Sequence, residues 1–285
     1  MSSADPIRWP LEAIWQAIEP QLPGFTCEVL PVVDSTNSEL MRRFKSGRLE
    51  PTLLVAEQQS AGRGRLGRQW HSQRGDSLMF SLGLPLAPAD WSGLSLAVGI
   101  STAESLDATN LPDRRIGLKW PNDLWLTDKK TERKLGGILV ETATFESQRY
   151  VVIGVGINVR AVDFAAQQGT AAAIAPGCLQ DLQPQADVAS TLLRLVAPFV
   201  QTVQAFEKFG FAPFQARFAK RDVLTGRDVQ LSDDINSQVQ GQAHGVTEKG
   251  ALLVHTSAGM KEITSSEVSV RPVDGRAPGV NVLPC

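Results

Sequence analysis

Two apolar periods divide the chain, a spacing of three to four residues that marks helices and an alternation that marks strands. Ile7, Leu11, Ile14, Trp15 and Ile18 predict a short helix over Ile7–Ile18, closed by Pro20 and Pro23. Thr26–Val33 alternates and is β-branched, so it predicts a strand; Asp34, Ser35, Thr36 and Asn37 then supply four N-capping residue types ahead of a helix over Glu39–Lys45. Thr52–Ala56 and Ser77–Leu84 read as buried strands, and Trp91–Thr109 as a helix with Leu94, Val98, Thr102, Ser105 and Leu106 on one side. Arg115–Leu126 looks like an apolar strand that pauses at Pro121 and resumes. Lys134–Glu141 and Tyr150–Asn158 are two further core strands, Ala161–Ala186 a long Ala/Gln-rich surface loop, Val188–Phe209 a helix and Phe211–Ala219 a second short one. From Val223 the pattern shortens to alternating segments around Val229, Val239, Ala251 and Val268, separated by turn signals, which predicts a small β-barrel. The expected fold is α+β: a mixed domain over residues 1–222, a β-rich domain over 223–272 and a loose tail over 273–285.

Composition narrows the function classes. A length of 285 residues with 42% apolar content suits a soluble globular protein, and a net charge of −2 with a pI near 6.0 argues against general nucleic-acid binding, which needs a broad basic face. No apolar run approaches the roughly 20 residues of a membrane span, and Met1–Pro10 lacks the features of a signal peptide, so the cytoplasm is expected. Cys27, Cys178 and Cys285 are widely spaced and His71, His244 and His255 have no ligand spacing, so neither disulfides nor a structural metal are expected.

One stretch departs from its surroundings. Between Ser60 and Asp76 stand Gly62, Gly64, Gly67 and Gly75 with Arg63, Arg65, Arg68 and Arg74, a loop suited to an anion approached closely by backbone. Gly62–Gly67 also fits G-x-G-x-x-G, but no helix pattern follows and no acidic partner lies about 20 residues on, so the dinucleotide reading fails. The other unusual polar residues also follow strands: Ser35–Asn37, Gln59, Lys119-Trp120-Pro121-Asn122-Asp123, Lys134 and Asn158. Singly, each has a plain structural reading: Ser35 or Thr36 as a helix cap, Trp70 as core, Lys134 as a surface charge, Gly136 and Gly137 as a bulge, Asn158 as a turn residue. Together they favour one pocket. Its cations would repel by roughly 4 kcal/mol per close pair at an effective dielectric of 20, so a polyanion such as a nucleoside triphosphate is expected to balance them. Asp123 and Asn158 are oxygen donors suited to Mg²⁺.

In combination and order, Ser35-Thr36-Asn37, the Gly62–Trp70 loop, Lys119–Asp123, Arg133–Leu139 and Gly156-Ile157-Asn158 resemble the biotin–protein ligases, also called biotin–[acetyl-CoA-carboxylase] ligases, from Asp34 to about Arg271. The resemblance implies a catalytic domain of the class II aminoacyl-tRNA-synthetase and biotin-synthetase type, followed by an SH3-like domain. It also implies two steps: biotin and MgATP give biotinyl-5′-AMP and pyrophosphate, and the amine of a lysine on a biotin carboxyl carrier protein then displaces AMP. Carried over residue by residue, Ser35, Thr36, Asn37, Gln59 and Gly137 match biotin-binding positions. Arg63, Gly64 and Arg65 match the loop that orders over biotin and the adenylate. Arg68, Trp70, Lys119, Asn122, Asn158 and Arg271 match the nucleotide side, and Asp123 a metal position. Lys134, with Arg65, matches the catalytic cations. Leu66 stands where relatives are often basic. Because 34 residues precede Ser35, too few for the helix-turn-helix domain of bifunctional relatives, no operator binding is expected. Homodimers occur among relatives. A lipoate–protein ligase and a non-catalytic biotin-sensing or nucleic-acid-binding protein are the competing readings, and the Gly-Arg-Gly-Arg loop with Lys-Trp-Pro-Asn-Asp favours biotin.

Overall fold

The computed structural model describes residues 6–109, 115–128, 131–145, 147–161, 175–232, 238–264 and 269–273. Helix α1 (Leu11–Ile18) starts later than the pattern implied, because Pro10 lacks the N–H that a helix begun at Ile7 would need there. Strand β1 (Thr26–Val33) leads to α2 (Thr36–Lys45) and back through β2 (Thr52–Gln59), which pairs parallel to β1. Helix α2 is capped by Ser35, whose side chain accepts the Ser38 N–H at 3.5 Å, and is braced by a Glu39–Arg43 pair at 2.9 Å one turn apart. Its apolar face decides where that cap sits. Leu40 and Phe44 pack on Leu54, Tyr150 and Val152, and the Phe44 and Tyr150 rings stack with centroids 4.4 Å apart.

Strands β3 (Ser77–Pro85), β4 (Ile116–Lys119), β5 (Asp123–Thr127), β6 (Glu132–Phe145) and β7 (Gln148–Asn158) complete a mixed seven-stranded sheet in the order β1-β2-β3-β7-β6-β5-β4. All of its pairings described beyond β1–β2 are antiparallel. The Arg115–Leu126 stretch corrects the reading of an interrupted strand. It folds back on itself, with Lys119 directly opposite Asp123 and Trp120–Asn122 forming the turn, where the missing N–H of Pro121 breaks no ladder. Trp120 is fully buried, and its indole N–H donates to the Gly250 carbonyl at 3.0 Å. Helix α3 (Leu94–Leu106) is shorter at both ends than expected. It begins after Gly93, which holds φ at 84° and where a methyl group would lie 2.6 Å from the Phe211 ring.

Helix α4 (Val188–Phe209) matches the pattern residue for residue, and α5 (Gln215–Ala219) follows a short 3₁₀ turn. The C-terminal strands β8 (Asp228–Ser232), β9 (Gln238–Val246), β10 (Leu252–Thr256), β11 (Gly259–Ile263) and β12 (Ser269–Pro272) form an antiparallel sheet in the order β11-β10-β9-β8-β12. Alternation identified its interior, since Val229, Leu231, Ala243, Leu252, Val254 and Val270 are all buried. Of the expected 161–186 loop, 162–174 lie outside the described residues. The remainder is not all surface, because Cys178 and Leu179 are buried at a short 3₁₀ turn. The expected tail lies outside the described residues from 274 onward.

The chain packs as two compact units. One holds α1, β1–β3, α2, β7, most of β6 and the start of α4; the other holds α3, β4, β5, the first residues of β6, the end of α4, α5 and the C-terminal sheet. No described helix is long and apolar enough to cross a membrane.

If the Phe44–Tyr150 stack anchors α2, Phe44→Ala should lower unfolding stability by about 3–5 kcal/mol in urea titration; a loss below about 1 kcal/mol would mean that the helix is held some other way.

Candidate active site

At the N-terminus of α2 a buried polar network forms within the first unit. Ser35, Thr36 and Asn37 are each buried. The Thr36 amide and hydroxyl both donate to Gln59 Oε1, at 2.7 and 3.2 Å, which ties the end of β2 to the helix entry. Asn37 donates from Nδ2 to the Leu139 carbonyl at 3.2 Å and to Glu141 Oε2 at 2.9 Å, while its Oδ1 lies 2.6 Å from the Ser81 hydroxyl. Ser81 Oγ is also 2.7 Å from Thr36 Oγ1. Such satisfaction is required of a buried amide.

The sheet register explains the convergence. Ser81 pairs with Gly154, and Gly154 pairs with Leu139, so the three form one row across β3, β7 and β6 beneath Asn37. Any side chain at Gly154 would collide with Asn37 Oδ1. The next row along the same face runs through Gly156 and Gly137, and a methyl group at Gly156 would lie 2.6 Å from the Trp70 ring. Gly136 and Gly137 therefore form no bulge; they continue the β6–β7 ladder.

The Gly/Arg loop links β2 to β3 as expected, and hydrogen bonds run within it. Gly64 N–H donates to the Arg68 carbonyl at 2.7 Å, Trp70 N–H to the Gly62 carbonyl at 2.8 Å, and Arg63 bridges to Gln69. Leu66, at φ 55°, is left-handed without being glycine, and Gly67 follows at 68°. Arg65 is partly buried, Arg68 is exposed, and the buried Trp70 indole N–H has no hydrogen-bond partner among the described residues.

The picture of several unopposed cations is corrected here. Arg63 pairs with Glu141 at 2.9 Å and Arg74 with Glu57 at 2.7 Å, carboxylates that lie far away in sequence. In the second unit, Lys134 pairs with Asp123 at 2.7 Å and Lys119 lies 3.9 Å from the same carboxylate, with its ammonium 5.5 Å from the Trp125 ring centroid. The β4–β5 hairpin thus presents an acid between two lysines. One carboxylate offsets only part of the charge of the two ammonium groups.

Asn122 sits partly buried in the hairpin turn. Asn158, at the end of β7, is buried and donates its amide to the Gly177 carbonyl at 3.1 Å. Arg271 pairs in β12 opposite Gln230, and its side chain lies outside the described residues. Among the described residues no three His, Cys, Asp or Glu side chains form a metal cluster. Among the described residues Asp123 offers a carboxylate at the lysines, which fits Mg²⁺ in the mode where substrate phosphates supply most of the coordination. Ser81 and Glu141 went unrecognised in the sequence, because only the sheet register brings either one to Asn37.

Comparison with known proteins agrees with this architecture. Residues 29–158 match the Biotin/lipoate A/B protein ligase family and residues 225–271 the Biotin protein ligase C terminal domain. The chain is 36% identical over 263 residues to the bifunctional ligase/repressor BirA of Escherichia coli (strain K12), covering 89% of this chain and 77% of that protein. It is 29% identical over 279 residues to the biotin–[acetyl-CoA-carboxylase] ligase of Mycobacterium tuberculosis, covering 94% and 98% of the two chains. The structure of a biotin protein ligase from Aquifex aeolicus in complex with biotin and ATP superposes with a TM-score of 0.69 at 30% identity, covering 87% of this chain and 99% of that one. With both domains matched in order and this identity over most of each chain, the protein belongs to the biotin protein ligase family.

Proposed function

We propose that the protein is a biotin–protein ligase that forms biotinyl-5′-AMP from biotin and ATP and then transfers the biotinyl group to a lysine of a biotin carboxyl carrier protein. The observation that carries this reading is the convergence of Thr36, Asn37, Gln59 and Arg63 on the N-terminus of α2, the residues that the family motifs single out. In the first step a biotin carboxylate oxygen bonds to the α-phosphorus of ATP and pyrophosphate leaves. In the second, the lysine amine attacks the acyl carbon, loses its proton, and AMP leaves.

No protein nucleophile is needed, so this chain's contribution is to bind, orient and neutralise. Ser35, Thr36, Asn37 and Gln59 hold the polar head of biotin over the Gly137 and Gly156 row. Arg63 and Arg65 close on the mixed anhydride, and Trp70 offers its ring and unpaired N–H to the nucleotide. Lys134 supplies fixed positive charge to the reacting carboxylate and phosphate, with Asp123 holding its ammonium in place. Lys119, Asn122, Asn158, Arg68 and Arg271 serve the nucleotide. Asp123 is the carboxylate that would hold a Mg²⁺ ion arriving with ATP, where the ion would screen phosphate charge. The C-terminal match favours biotin over lipoate as the acid.

Incubation with ATP, Mg²⁺ and a biotin carboxyl carrier domain should add one biotinyl mass to the carrier with biotin and none with lipoate, read by intact mass spectrometry; no gain with biotin would contradict the assignment. Lys134→Ala should slow biotin-dependent pyrophosphate release by about a hundredfold or more. A rate within about threefold of wild type would remove Lys134 from the chemistry.

A further inference from the structure

Glu141 has no part in the reaction as described, yet it is the only side chain among the described residues that hydrogen-bonds both to Asn37 and to the Gly/Arg loop. Its Oε2 accepts from Asn37 Nδ2 at 2.9 Å, and its Oε1 meets Arg63 Nη2 at 2.9 Å. Arg63 Nη1 also reaches Ser38 Oγ at 3.3 Å. The guanidinium therefore runs from the loop to the first turn of α2 and on to β6, crossing the helix entry that carries Ser35–Asn37. At its base the loop is fixed by backbone, through the Trp70–Gly62 hydrogen bond, the Trp70 ring on Gly156, and a Gly62 whose Cβ position is filled by the Trp70 carbonyl. Within the loop Arg63 keeps a backbone bridge to Gln69, but it reaches α2 and β6 through its guanidinium.

From this we infer that Glu141 is a positioning residue that clasps Arg63 across the N-terminus of α2, so that a ligand held by Ser35–Asn37 escapes when the Arg63–Glu141 pair opens. The inference rests on the reading of Ser35–Asn37 as the biotin head-group site. The strength of the pair suits a clasp. Arg63 is 49% exposed and Glu141 23%, so the bond is partly solvated, weak and sensitive to salt, and it can exchange during a catalytic cycle. Glu141 also orients what lies beneath, because two acceptors on Asn37 Nδ2 and the Ser81 hydroxyl at Oδ1 fix which way that amide points. Opening the clasp leaves Asn37 in place with Leu139 and Ser81. The carboxylate thus joins loop closure to head-group recognition through one hydrogen-bonded group.

The test is the dissociation rate of labelled biotin, chased with unlabelled biotin, from the full chain carrying Glu141→Gln, Arg63→Met or both. Glutamine keeps an acceptor for Asn37 and removes the charge that holds Arg63. Glu141→Gln should raise the rate about two- to fivefold with an unchanged melting temperature. Wild type should release biotin faster as salt rises from about 0.05 to 0.5 M, while Glu141→Gln should be insensitive to it. In the Arg63→Met background Glu141→Gln should add nothing. Wild-type rates in Glu141→Gln, or multiplicative effects in the double variant, would overturn the clasp, and a salt-independent wild type would do so without any variant. No biotin binding by wild type would overturn the head-group reading and this role with it; binding with an unchanged rate in Glu141→Gln overturns this role alone.

Discussion

The side-chain amide of Asn37 is buried at a helix entry, and a buried amide is destabilising by a few kcal/mol unless its hydrogen bonds are made. Its three partners come from two strands that are not neighbours: Ser81 on β3, the Leu139 carbonyl on β6, and Glu141 two residues further along β6. Between β3 and β6 lies β7, and there Gly154 leaves the space that Asn37 Oδ1 occupies. A shift of one residue in either pairing would turn Ser81 or Glu141 to the opposite face of the sheet. Helix position matters equally. The Phe44–Tyr150 stack sets α2 on the sheet so that the capping residues arrive above this row.

Charge follows the same logic of distant partners. Glu57, Glu141 and Asp123 each hold a cation that local sequence leaves unopposed, with N–O distances of 2.7 to 2.9 Å. Within each unit these cations are therefore held in position by exchangeable ion pairs. In the proposed reaction, substrate anions would compete for guanidinium and ammonium groups already in position, which lowers the ordering cost of binding.

What the sequence revealed and what it hid divide along chain distance. Periodicity located β1 and α4 to the residue, because their apolar faces are continuous, and alternation marked the interior of the C-terminal sheet. The polar motifs were visible because capping residues, glycines and arginines cluster within a few positions of one another. The Lys119–Asp123 hairpin was hidden because two short apolar runs around a proline look alike whether the chain continues or reverses. Ser81 read as one more position in an apolar strand and Glu141 as the end of one, since their roles exist only through register with Gly154 and contact with Asn37. Gly154 carried no local signal either; its requirement is set by the atom above it.

That requirement gives the most direct measurement. In Gly154→Ala a methyl group must displace the Asn37 amide from its row while the ladder on either side stays paired. Isothermal titration of the folded variant with biotin should show affinity reduced about tenfold or more, a cost of about 1.4 kcal/mol or greater. Wild-type affinity in a folded Gly154→Ala protein would contradict the claim that Asn37, seated on the Gly154 row, holds the biotin head group.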